Sequence, residues 1–66
     1  MKVFKVERVD RVYYCEDYDM VVIAKDELHA ERCARCSSDD FRKAKVKVTE
    51  INLDKEQCVL IANKGA

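Results

Sequence analysis

Asp26-Glu27-Leu28-His29-Ala30-Glu31-Arg32-Cys33-Ala34-Arg35-Cys36 is the stretch that reads as a helix, set among runs with the spacing of strands. Asp26 has the short acceptor side chain of an N-cap, and Glu27 puts a negative charge in the first turn, where the helix dipole favours it. At about 100° per residue, Ala30, Cys33 and Ala34 fall on one side. Arg32 and Arg35 lie away from that line, and Leu28 sits nearly opposite it. The helix therefore has a narrow face of small side chains, which lets it lie close to a sheet. Cys33 is expected in that face as a small core hydrophobe, as buried free cysteines commonly are.

Working outward, Lys2 to Val9 alternates imperfectly, with Phe4 and Val6 on one face and Lys5 and Glu7 on the other, and reads as a strand. Asp10 to Asp17 reads as a connection, with Arg11 to Tyr14 as an alternative extension of a strand. Met20 to Ala24 is short and continuously apolar, the pattern of a central strand. After the helix, Ser37-Ser38-Asp39-Asp40 turns the chain and can cap a short turn around Phe41. Lys43 to Ile51 alternates cleanly, with Ala44, Val46 and Val48 inward and Lys43, Lys45 and Lys47 outward. Asn52 to Glu56 is a turn, and Cys58 to Ala62 reads as a second doubly apolar strand. The expectation is one α+β domain over residues 1–66. Its plan is β-β-α-β-β: a mostly antiparallel sheet of three to five strands with one helix on one face.

One helix covers one face of a sheet. Both Met20–Ala24 and Cys58–Ala62 carry apolar residues toward the other face, so part of that face is expected to stay open, as a partner or homodimer surface. The contrary reading is that lysine stems and the tyrosine-rich connection lie over it.

Size and composition narrow the function classes. A domain of 66 residues buries only about 60 % of its unfolded surface, which leaves little room for a deep substrate cleft. The reading is therefore of a non-enzymatic protein without a cofactor. Thirteen basic and thirteen acidic residues cancel, so no global field draws the chain to nucleic acid or anionic lipid. No apolar run approaches the ~18 residues of a membrane helix, and Met1-Lys2-Val3-Phe4-Lys5 lacks a signal peptide's apolar stretch. A cytoplasmic protein with reduced thiols is expected, although four cysteines in a short chain can also staple a secreted fold.

Three patterns invite chemistry. His29, Cys33 and Cys36 stand at i, i+4 and i+7, so a helix brings them near one another, and Cys58 or Cys15 could complete a zinc tetrahedron. Against this rival reading, structural zinc sites place Cys-x-x-Cys on a tight knuckle, and no second such pair follows. A redox pair is disfavoured because Cys33 and Cys36 lie toward the helix C-terminus, where the dipole opposes a thiolate. Lys43, Lys45 and Lys47, with Lys5 alongside, form a basic strip that could track phosphates. Aromatics to stack bases sit elsewhere, and lysines on an exposed strand also deter aggregation.

The stretch Tyr13-Tyr14-Cys15-Glu16-Asp17-Tyr18-Asp19 is the better recognition candidate. Tyrosine offers large contact area at low entropy cost, and clustered carboxylates suit a basic partner. Tyr13, Tyr14, Asp17, Tyr18 and Asp19 are the expected contact residues, with Leu28 on the outer face of the helix as an addition. The plainer reading is a hairpin connection whose tyrosines pack back on the sheet.

Several of these stretches together carry a resemblance. Tyr18-Asp19 steps into the apolar run Met20–Ala24. Ala24, Asp26, Ala30, Cys33 and Ala34 fill an Ala-x-[Ser/Asp]-x-x-x-Ala-x-x-[aliphatic]-Ala pattern, and Val46–Ile51 and Cys58–Asn63 look like closing strands. In these features the chain resembles a group of small, mostly uncharacterised proteins of bacteriophages, prophages and their hosts. In layout it is also similar to some small anti-CRISPR proteins, which block a host defence complex by surface contact. The resemblance implies a phage or mobile-element accessory protein that binds a host protein or protein complex and modulates or inhibits it.

Overall fold

The computed structural model describes residues 1–60. Three strands and two helices follow one another: β1 (Lys2–Arg8), β2 (Asp19–Ala24), α1 (Glu27–Ser37), α2 (Asp39–Arg42) and β3 (Val46–Glu50). The sheet is antiparallel throughout, in the order β2-β1-β3. The molecule is α+β, a three-stranded antiparallel sheet with a helix. The central strand is β1 and not β2. The apolar run Met20–Ala24 forms an edge, and its continuity reflects a buried inner face and an open outer one. Val22 and Ala24 are buried, whereas Val21 and Ile23 are exposed.

Register makes the two faces explicit. Phe4 stands opposite Val22 and Val6 opposite Met20, and Val6 also stands opposite Val48. These inward residues meet Ala30, Ala34 and Phe41 in one core, with Met20, Val46 and Val48 packed partly against it. Ala30 and Ala34 have no exposed surface, so α1 approaches the sheet through methyl groups alone. Phe41, on the single turn of α2, is fully buried and plugs the end of this layer.

Asp26 caps α1 as its sequence indicates: one carboxylate oxygen accepts the His29 amide at 2.9 Å. The helix is rotated, however, from the arc that Ala30, Cys33 and Ala34 define. Cys33 is exposed, and the half-buried flank is the side of Glu31 and Arg35. The Arg35 guanidinium accounts for this. Its Nη1 donates to the carbonyls of Phe41 (2.6 Å), Arg42 (3.2 Å) and Ala44 (3.0 Å), and its Nε donates to Glu31 (3.1 Å). The orphan carbonyls at the end of α2 are thereby satisfied, and that flank of α1 turns toward them.

Two other expectations change. The third strand begins at Val46, later than Lys43, because Ala44 is buried beyond α2 and Lys43 serves as the cap residue of that turn. Of the expected strand Cys58–Ala62, residues Cys58 to Leu60 are not strand, and Ile61 and Ala62 lie outside the described residues. Gln57, Cys58 and Val59 instead line a shallow groove with Lys5, Glu7 and Thr49 on the outer face. Val59 is half-buried there, so its need for cover is met by a sheet face and not by a ladder. No described helix is long and apolar enough to cross a membrane.

Candidate functional site

The connection between β1 and β2 is built around one side chain. Arg8, at the end of β1, keeps only 5 % of its side chain exposed. Its guanidinium grips Asp10 in a fork, Nε to Oδ1 at 2.9 Å and Nη2 to Oδ2 at 3.0 Å. It also donates to the carbonyls of Arg11 (3.0 Å) and Asp17 (3.2 Å) and reaches the Glu16 carboxylate at 3.4 Å. A planar fork with five donors suits this task; an ammonium would satisfy fewer of these acceptors. The Asp10 carboxyl is held below the usual carboxylate range by its hydrogen bonds from Arg8, and Arg8 is raised in turn.

That frame fixes the tip of the loop. The same Glu16 oxygen accepts the Tyr13 amide at 2.7 Å, and the Glu16 amide donates to the Tyr13 carbonyl at 3.1 Å. Cys15 takes the left-handed conformation, φ 69°, at the third position of this turn. That is the place where a type II turn favours glycine, so a side chain here costs about 1 kcal/mol. Tyr13 and Tyr14 project outward, 62 % and 81 % exposed, and the Arg11 guanidinium lies 5.3 Å from the Tyr13 ring centre.

The loop is tied to the helical layer as well. The Asp17 amide donates to Asp40 at 2.8 Å, and the Ser38 hydroxyl donates to the Asp17 carboxylate at 2.7 Å. Ser38 is the one buried polar residue among those described, and this bond satisfies it. Asp17 thus has a structural partner that its sequence context does not reveal.

The remaining recognition candidates disperse. Tyr18 is half-buried, and Asp19 lies on the outer face directly opposite Glu7. Partial burial, and then the Glu7 carboxylate, push the Asp19 carboxyl up, while Lys5 opposes the shift. Leu28 is 64 % exposed on the first turn of α1, at the far end of β2 from the tyrosines. Among the expected contacts, Tyr13 and Tyr14 alone form a contiguous exposed pair.

The basic strip is interleaved with acid. Lys5 lies 3.7 Å from Glu7, and Lys47 stands opposite Glu7 in the ladder, so a carboxylate separates the two outer-face lysines. Lys45 precedes β3 and Lys43 follows α2, which breaks the line. The rival ligand set His29, Cys33, Cys36 and Cys58 does not assemble. His29 turns its Nδ1 to Asp26 at 2.7 Å, all four cysteines are exposed, and the described residues contain no group of three or more His, Cys, Asp or Glu side chains placed for a metal ion.

Arg8 and Arg35 are the residues that reading along the sequence missed. The single available signal was the bare polarity of Arg8 at the end of an otherwise alternating strand. With this geometry in hand, no protein-family model, curated protein or solved structure matches the chain.

Proposed function

We propose that this chain is a non-catalytic binding module that recognises another macromolecule through the Tyr13–Tyr14 tip of its first connection. One observation carries the reading: two adjacent tyrosines stand out from a loop whose backbone is held from within by Arg8 and Glu16. An exposed aromatic pair on a mobile loop would lose much of its binding energy to ordering. On a fixed loop that loss is already met, which is the arrangement of an interface anchor. Asp10, Glu16 and Asp17 neighbour the pair along the chain and, although Arg8 and Ser38 hold them, keep the loop rich in carboxylates, which favours a protein partner with a basic surface. The phage-type resemblance sharpens this to an accessory protein that inhibits or modulates a host complex in the cytoplasm.

The test is capture of the partner from host lysate. Tyr13→Ala/Tyr14→Ala should abolish capture and leave the circular dichroism spectrum and Tm unchanged. Leu53→Ala, an equally exposed apolar position in the turn after β3, should capture normally. Asp17 is the wrong residue to remove in this experiment, because its loss also frees Ser38 and loosens the loop. Full capture by the double tyrosine variant would refute the placement.

A further inference from the structure

The two edges of the sheet are defended differently. On β3, Lys45, Lys47 and Glu50 surround the edge with charge, the common protection of an exposed strand. Along β2, five consecutive apolar residues, Met20 to Ala24, follow Asp19, and Lys25 comes next at the bend that leads into α1. Val21 and Ile23 are 49 % and 67 % exposed, and among the described residues no strand lies beside β2 on its outer side.

The ladder phase says which groups face that open side. The Arg8 amide donates to the Tyr18 carbonyl, one rung beyond the pairing of Glu7 with Asp19. The rungs that join β1 to β2 therefore fall on Arg8, Val6, Phe4 and Lys2. The Val9 amide bonds the Lys45 carbonyl and the Ile51 amide bonds the Val3 carbonyl, so the odd residues of β1 serve β3 instead. Met20, Val22 and Ala24 consequently face β1, while Asp19, Val21 and Ile23 direct their amides and carbonyls outward. The residues with outward backbone groups are thus the ones whose side chains lie on the open sheet face.

We infer that this edge takes a second copy of the chain, β2 against β2 in antiparallel register about a two-fold axis at Val22. The register follows from charge. With the axis at Val22, Val21 stands opposite Ile23 of the second copy, and at each end Asp19 meets Lys25, the exposed residue that directly follows the second copy's β2. With the axis at Val21, Asp19 meets an isoleucine. With the axis at Ile23, Asp19 meets Glu27 and Lys25 meets a valine. Only the first choice joins opposite charges and apolar pairs on one face. It also brings a cation to Asp19, which within its own sheet stands directly opposite the like-charged Glu7. The interface is isologous and extends the sheet to six strands in the order β3-β1-β2-β2-β1-β3. The surface is separate from the tyrosine tip, so the dimer presents two such tips.

Sedimentation equilibrium of the full chain under reducing conditions tests this. A dimer with a dissociation constant on the order of tens of micromolar is expected for an interface of one short strand pair. Asp19→Lys and Lys25→Asp each replace two attractive pairs by two repulsive ones, and each should weaken the dimer about tenfold or more. Mixing these two variants should restore association as a 1:1 heterodimer by native mass spectrometry, since every facing pair is again Lys with Asp. Ile23→Lys should give a monomer; should it fail to fold by circular dichroism, the charge variants still decide. A wild-type chain that stays monomeric at several hundred micromolar overturns the inference. So does a dimer indifferent to both swaps, and so does a mixture that shows no preference for the heterodimer.

Discussion

The inner and outer faces of the sheet are made by the same strands and read very differently. Val22 is 6 % exposed and its neighbour Ile23 is 67 % exposed, although isoleucine is the more hydrophobic of the two. What separates them is the layer above. Inward residues lie under Ala30, Ala34 and Phe41, which bring the helices close enough to exclude water. Among the described residues, outward side chains meet a carboxylate–lysine cluster and, over part of the face, Gln57 to Leu60. Hydrophobicity thus marks both faces equally, and the covering elements decide which becomes core. In so small a domain the core is one layer deep, and little stability is held in reserve.

Truncation on the two faces should break apart most widely. Phe4→Ala removes a ring with 1 % exposure and should lose about 3–5 kcal/mol, close to the stability of the whole domain. Ile23→Ala, measured by urea unfolding at low micromolar concentration so that association plays no part, should change stability by no more than about 0.5 kcal/mol. Comparable losses at the two positions would mean that the outer face is covered as completely as the inner one.

A smaller contrast runs around the helix. Ala30→Leu adds three carbons where α1 rests on the sheet and should lose about 1–3 kcal/mol by forcing the layers apart. Cys33→Leu, on the exposed flank, should be close to neutral. The reverse order, with Cys33→Leu the damaging change, would restore the rotation that the sequence alone suggests.

That rotation shows what the sequence could and could not disclose. The helix start was legible because Asp26 acts on its own amide neighbours, and the small-residue face was legible because Ala30 and Ala34 repeat at helical spacing. The centre of the buried arc was not, since it depends on Arg35 reaching carbonyls six to nine positions away, on a four-residue element and just past its end. The strand alternation located β1 and the whole of β3, with a start placed too early for the latter. It could not rank strands within the sheet: an edge strand with one open apolar face has the same composition as a central one. At the candidate site, the tyrosines were legible as types, but their fixed projection was not. It depends on Arg8, whose partners at Asp10, Arg11, Glu16 and Asp17 are gathered by the fold of the loop.

The finest test of the two faces concerns Asp19, the one outward carboxylate that partial burial and Glu7 push up. A carboxyl raised in the folded state lowers stability where it is ionised, and the penalty disappears as pH falls through its folded value toward about 4, the ordinary aspartate range. Asp10 and Asp26 act in the opposite sense. Arg8 holds the first below the usual range, and the His29 amide and ring hold the second there. Their contribution is complete above the ordinary aspartate value and is lost as pH falls through their lowered folded values. Asp19→Asn should therefore stabilise the monomer slightly at pH 7. The gain should shrink toward zero by about pH 4, leaving the opposite pH dependence that Asp10 and Asp26 contribute unchanged. A gain that stays constant from pH 7 to pH 4, or a loss at pH 7, would place Asp19 in full contact with water and remove the last electrostatic distinction between the open face and its surroundings.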